Sequence, residues 1–319
     1  MNALHGRVAV RLLDSPVFGP AFASGRAVAS MARAAESVGF DAVWVTDHPI
    51  PPGPEATVRV HDTLDPFVTL GYAAAATSRL RLLTCAVVAP YRSPFLTAKA
   101  AATVDVLSGG RLILGVATGY VEAEFDALGI DFSRRNELTD EAIELIVQTW
   151  LGEPVHHRTT AFVARGNRAL PTPLQRPRPP IWVGGNSRRA IRRAVALGDG
   201  WLPFPNRASR VAMRRTPLIE TVADLRDRIA YAREYAAEIG RTSPLETIFP
   251  LCFEETWRRV VEPERLLASA AELGEIGVTY FTMQIPASSP EEFCEQAQQY
   301  SSLLATAPSS ALDPPPNLP

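Results

Sequence analysis

Asp47 and His48 stand side by side in Thr46-Asp47-His48-Pro49, at the end of the apolar segment Ala42–Thr46. A carboxylate beside an imidazole can handle protons, because imidazole titrates near neutrality and can give or take a proton during turnover. Alone, such a pair only caps a loop and packs; its place at a strand end makes it a catalytic candidate. A second chemistry is written in Val183-Gly184-Gly185-Asn186-Ser187-Arg188-Arg189. Two glycines can expose backbone N–H groups, and Asn186 or Ser187 can start a helix. A helix N-terminus offers unpaired donors and partial positive charge, which suit a phosphate. Arg188 and Arg189 can add charge beside it, whereas Arg192 and Arg193 read as a solvated helix face. In Thr118-Gly119-Tyr120, Gly119 permits an unusual backbone angle and Tyr120 can line a pocket. The segment Thr84-Cys85-Ala86-Val87-Val88-Ala89-Pro90 keeps small residues ahead of Pro90, so a flat ring can approach its backbone.

These groups need elements to hold them. Apolar runs of strand length alternate with helical patterns. Strands are expected at Val8–Leu13, Ala42–Thr46, Leu80–Val88, Arg111–Ala117, Ile181–Val183, Gly200–Pro203, Thr247–Phe253 and Val278–Ile285. Helices are expected at Gly25–Val38, from Pro66 to Thr77, at Pro94–Leu107, Glu137–Leu151 and Ser187–Leu197, around Val222–Ile239, at Pro263–Ile276 and after the capping-box pattern Ser289-Pro290-Glu291-Glu292. Residues 152–179 read as irregular. Eight strand–helix pairs with right-handed crossovers close most naturally into a (β/α)8 barrel spanning residues 1–306. The Pro- and Ser-rich tail 307–319 reads as disordered. The alternative is an open doubly wound sheet. Its dinucleotide fingerprint GxGxxG should follow the first strand, where the chain reads Asp14-Ser15-Pro16-Val17. In a barrel the catalytic mouth lies at the C-terminal strand ends, where Asp47, His48, Cys85, Gly119, Tyr120 and the Gly-Gly segment all fall.

Composition narrows the partners. The 319 residues carry a net charge of −2, so no global cationic field favours nucleic acid or acidic lipid. No run approaches the roughly 18 apolar residues of a membrane span, and the N-terminus has no secretory pattern. Cys85, Cys252 and Cys294 lie far apart, which fits a reducing, cytoplasmic setting. His156 and His157 are adjacent and point opposite ways in extended chain, and His5 and His61 lack partners at metal spacing. No metal site is expected. Lys99 is the only lysine, so any anion site must use arginine or backbone amides.

Several ordered segments carry a resemblance. They are Glu36 to His48, Leu107-Ser108-Gly109-Gly110-Arg111-Leu112-Ile113-Leu114-Gly115-Val116, Phe125 to Ile130, Pro179 to Ser187, and Leu197-Gly198-Asp199-Gly200-Trp201-Leu202-Pro203. Across residues 25 to 205 the chain resembles the luciferase-like flavin and deazaflavin oxidoreductases, in the branch that uses coenzyme F420. The resemblance implies a (β/α)8 barrel with an insertion after strand four, a flavin-like ring at the barrel mouth and a phosphate at the fifth helix. It implies a non-proline cis peptide behind the ring, at Cys85–Ala86 or Ala86–Val87. Members often have Gly or Ser where Cys85 stands. Some sugar-phosphate dehydrogenases of the family carry a Glu where this chain has Tyr120.

The family's strand-two Asp and His map onto Asp47 and His48 as catalytic residues, and Tyr120, at the end of strand four, is a further catalytic candidate. The cofactor is expected against Asp47, Cys85, Ala86, Val87, Gly119, Tyr120, Val183, Gly184, Gly185, Asn186, Ser187, Arg188 and Arg189. The expected activity is hydride transfer between F420 and a small organic substrate. The alternatives are an FMN-dependent monooxygenase and a non-catalytic flavin or F420 binder. A homodimer is compatible with this reading. The loops that would choose the substrate, about 49–63, 119–135 and 152–179, hold no diagnostic motif.

Overall fold

The computed structural model describes residues 7–15, 18–53, 62–159, 162–253 and 261–304. His5, His61, the N-terminal Met1–Gly6, most of the loop after His48 and the tail 307–319 lie outside the described residues. The strands are β1 (Arg7–Arg11), β2 (Ala42–Val45), β3 (Arg81–Thr84), β4 (Val87–Val88), β5 (Leu112–Ala117), β6 (Val155–Arg158), β7 (Val163–Asn167), β8 (Ile181–Gly184), β9 (Gly200–Leu202), β10 (Glu246–Pro250) and β11 (Tyr280–Met283). The helices that matter here are α1 (Gly25–Val38), α2 (Pro66–Ala76), α3 (Pro94–Ser108), α4 (Glu122–Ala127), α5 (Arg135–Trp150), α6 (Arg188–Leu197), α7 (Val211–Arg214), α8 (Val222–Glu238), α9 (Pro263–Ile276) and α10 (Pro290–Gln299).

The sheet runs β3-β2-β1-β11-β10-β9-β8-β5-β4, and β3 also pairs with β5. That last pairing closes a parallel barrel of eight stations, with β3 and β4 sharing one. The fold is the (β/α)8 barrel expected from the strand–helix alternation. Each barrel strand is largely buried on both faces, which is why these strands read as apolar runs. Ala9, Trp44, Leu83, Ile113, Trp182, Ile248 and Tyr280 belong to one buried cluster, and a larger cluster packs strands against helices.

Helix ends follow local chemistry. Ser24 accepts the Ala27 N–H to start α1, and Gly39 closes it in the left-handed conformation. Asp65 caps α2 ahead of Pro66. At α10, Ser289 accepts the Glu292 N–H, but the Glu292 carboxylate reaches back to Ser288 and not to Ser289. Half of the expected capping box is therefore present.

Two expectations change. The third strand is not continuous: β3 ends at Thr84, β4 resumes at Val87, and the Cys85–Ala86 peptide between them is cis. Thr84 bridges the break. Its Oγ1 donates to the Gly115 carbonyl at 2.8 Å and accepts the Gly115 N–H at 2.9 Å. A Cβ at Gly115 would lie 1.9 Å from the Thr84 carbonyl oxygen, so only glycine admits this approach. The second change concerns residues 152–179, which hold an antiparallel hairpin of β6 and β7. Val155 and Ala164 bury against Leu145 of α5, and that packing gives a mostly polar segment its strand structure.

Candidate active site

A cavity of about 360 Å³ opens at the C-terminal ends of the strands. That volume is in the range of small-ligand sites. Asp47, His48, Cys85, Ala86, Gly119, Tyr120, Gly184, Gly185 and Ser187, all singled out by sequence, line it together. Val87, Val183 and Asn186 do not line it. Val87 and Val183 pack in the core, and the Asn186 side chain clamps Phe204 and the Pro217 carbonyl.

His48 follows β2, and its Nδ1 lies 3.0 Å from Oε2 of Glu124 on α4. Glu124 is fully buried, and the Tyr91 hydroxyl donates to the same oxygen at 3.1 Å. Burial and the Glu124 charge raise the Tyr91 pKa, so the phenol keeps its proton. A carboxylate behind an imidazole fixes its tautomer and ring orientation. The Tyr120 ring stands edge-on to His48, with centroids 6.3 Å apart, and burial raises its pKa too.

Asp47 serves a different purpose. Its two oxygens take the two terminal nitrogens of Arg92, at 2.6 and 2.9 Å, and it accepts the Val88 N–H at 3.0 Å. It therefore ties β2 to β4 across the Cys85–Ala86 break. The carboxylate that holds the His48 ring is that of Glu124. Sequence reasoning missed this partner because 76 residues separate the two.

The Gly-Gly segment is also used otherwise than expected. The Gly185 N–H donates to the Leu202 carbonyl, and the Asn186 N–H to Thr216 Oγ1. Ser187 caps α6 by accepting the Ala190 N–H. The donors that remain by helix geometry are the first-turn amides of Arg188 and Arg189, together with the Ser187 hydroxyl hydrogen. Gly185 sits at φ 121° with its Cβ position 3.0 Å from Ala190, so a side chain fits poorly there.

The side chains of Arg188 and Arg189 turn away from the cavity. Arg188 lies 4.9 Å over the Tyr231 ring on α8, and Arg189 pairs with Asp140 on α5. Arg193 is buried and not on a solvated face. It pairs with Asp140 and donates to Thr118 Oγ1 and the Asn136 carbonyl, bracing two residues of the cavity wall. Arg192 remains exposed against Tyr231. The cations on the cavity wall are instead Arg11, Arg135, Arg214 and Arg215.

Arg11 ends β1, nearly buried, 5.3 Å over Trp44 and donating to Gln284. Burial pulls its pKa down, while Asp14 opposes that. Burial pushes the Asp14 carboxyl up to about 6, with Arg11 holding it lower than burial alone would. Burial pushes the Cys85 thiol up to about 12, so it is protonated and not a nucleophile at neutral pH. Among the described residues no group of three or more His, Cys, Asp or Glu is arranged to hold a metal. No helix there is long and apolar enough to cross a membrane.

A family model described as luciferase-like monooxygenase matches residues 8–253. The chain belongs to that family. An uncharacterized protein of Mycobacterium tuberculosis is 34% identical over 200 residues, covering 58% of this chain and 70% of that protein. Among solved structures, the monooxygenase RslO1 from Streptomyces bottropensis has a TM-score of 0.76 at 21% identity, covering 94% of this chain and 98% of that one. The coenzyme F420-dependent tetrahydromethanopterin reductase from Methanopyrus kandleri has a TM-score of 0.72 at 17% identity, covering 94% and 99%. The luciferase-like fold thus accounts for the barrel and for a mouth built from strand ends, and the family's chemistry is that of oxidoreductases and monooxygenases.

Proposed function

We propose that this protein is an F420-dependent oxidoreductase that moves a hydride between the deazaflavin and a small organic substrate. The observation that carries the reading is His48 on the wall of the cavity with its Nδ1 held by the buried Glu124. Cys85, Ala86, Gly184 and Gly185 leave a low wall against which a flat ring can lie. Ser187, the first turn of α6 and the arginines of the wall suit the phosphate of such a cofactor. The residues present therefore fit an anionic ring cofactor.

When bound, the deazaflavin supplies hydride chemistry through a carbon at its reactive ring position. The chain supplies orientation, exclusion of water and a proton. With Nδ1 committed to Glu124, proton exchange with the substrate falls to Nε2 of His48, directly or through one water. Tyr91 keeps the Glu124 carboxylate in place, and Asp47 with Arg92 fixes the strand break at the cavity wall.

An FMN-dependent monooxygenase on the same barrel would need dioxygen, and this separates the two readings. Reduced F420 is mixed with the protein and a panel of carbonyl compounds, enones and imines under anaerobic conditions, and its reoxidation is followed by absorbance. The expected result is substrate-dependent reoxidation without oxygen. Turnover only with reduced FMN and oxygen would overturn the proposal.

A further inference from the structure

Arg135 opens α5, and Arg214 and Arg215 end α7 and follow it; all three line the cavity. Each guanidinium is held in place. Arg135 donates to the Phe132 carbonyl at 2.9 Å and lies 4.0 Å over the Phe132 ring. Arg215 approaches the same ring at 4.5 Å. Arg214 donates to the Pro205 carbonyl at 2.7 Å and lies 5.3 Å over the Phe204 ring. Arg215 sits at φ 50°, in the left-handed region uncommon for a side chain of this size. The chain bends there, directly after α7, and both consecutive arginines reach the cavity wall.

Of these three arginines only Arg215 has an ion-pair partner among the described residues. Glu122 pairs with Arg215, and both are exposed. Among the described residues neither Arg135 nor Arg214 forms an ion pair. Burial pulls both of their pKa values down, and the neighbouring Arg215 lowers that of Arg135 further, with Glu122 opposing. The whole chain has a net charge of −2, so this is a local surplus and not a cationic surface. Fixed guanidinium forks match the paired oxygens of phosphates and carboxylates.

We propose that the Arg135–Arg214–Arg215 wall holds the anionic arm of the ring cofactor, its phosphate and the carboxylates beyond it, together with the start of α6. The inference rests on the F420 reading above and names which residues select the charged arm.

The test is a binding titration of wild type, Arg135→Ala, Arg214→Ala, Arg214→Lys and the control Arg192→Ala, an exposed arginine that does not line the cavity. Each is titrated with F420 and with its ring-and-ribityl analogue lacking phosphate and tail, at low and high salt. FMN and riboflavin are run as a second charged and uncharged pair. Thermal unfolding verifies that each variant is folded. The two alanine variants should lose tenfold or more in F420 affinity and less than twofold for the uncharged analogue. Arg214→Lys should fall between, the control should bind like wild type, and the wild-type preference for the charged ligand should shrink in high salt. Equal losses on both ligands, or unchanged F420 affinity in a folded Arg214→Ala, would overturn the inference. So would unchanged F420 affinity with a raised substrate KM, which would give the wall to an anionic substrate. A wild type that binds FMN and not F420 would overturn the F420 reading alone. The wall would then stand or fall on whether the variants lose FMN and keep riboflavin.

Discussion

Around His48 the charged groups are matched within the protein. Asp47 takes both terminal nitrogens of Arg92, and Glu124 takes His48 and Tyr91. Along the opening formed by Arg135, Arg214 and Arg215, only Arg215 has an ion-pair partner among the described residues, the exposed Glu122. A matched network fixes the orientation of its members before any ligand arrives, which suits a group that must present a proton at one place. A surplus of one sign is balanced by a ligand of the other, which suits binding. On the proposed reading the difference separates the work of the two regions: one would move a proton and the other would hold a charged arm.

Removing His48 should break that separation most severely. We expect His48→Ala to keep F420 affinity within about tenfold, or ~1.4 kcal/mol, because the ring wall and the arginines remain. Turnover should fall by the ~10²–10⁴ of a lost general acid or base. Binding titration and steady-state rates on the same variant check this. Full turnover in His48→Ala would move the proton role elsewhere, with Tyr120 the next residue to test.

A smaller effect is expected from Glu124→Gln. The amide keeps the shape and can still meet Tyr91, but it is a weaker partner for the imidazole and loses the negative charge behind it. Turnover should drop by roughly 10–100-fold, the scale seen when the hydrogen-bond partner that orients a metal-ligating histidine is mutated. Cofactor affinity should not change. Comparing kcat with cofactor affinity distinguishes this positioning role from a structural one, since a disordered site would lower both. An unchanged kcat would mean that Glu124 only fills space.

The barrel was legible because parallel strands buried on both faces read as apolar runs, and because Asp65 and Gly39 sit where helices start and stop. The hairpin of β6 and β7 was not, since its strands are largely polar and owe their structure to packing on α5. In the site, adjacency was readable and direction was not. Asp47 and His48 share the cavity, yet the ring's partner comes from α4. Arg188 and Arg189 follow the helix start as expected, but Tyr231 and Asp140 draw their side chains away. Arg214 and Arg215 lie in a connection without a recognisable motif, and only folding brings them to Arg135.

The identity of the cofactor separates the F420 reading from its FMN alternative. Purified wild-type protein titrated separately with F420 and with FMN, by fluorescence or calorimetry under one set of conditions, tests it most directly. Saturable F420 binding, tighter than binding of FMN, is the expected result. Tighter FMN binding, with no detectable binding of F420, would contradict the F420 reading.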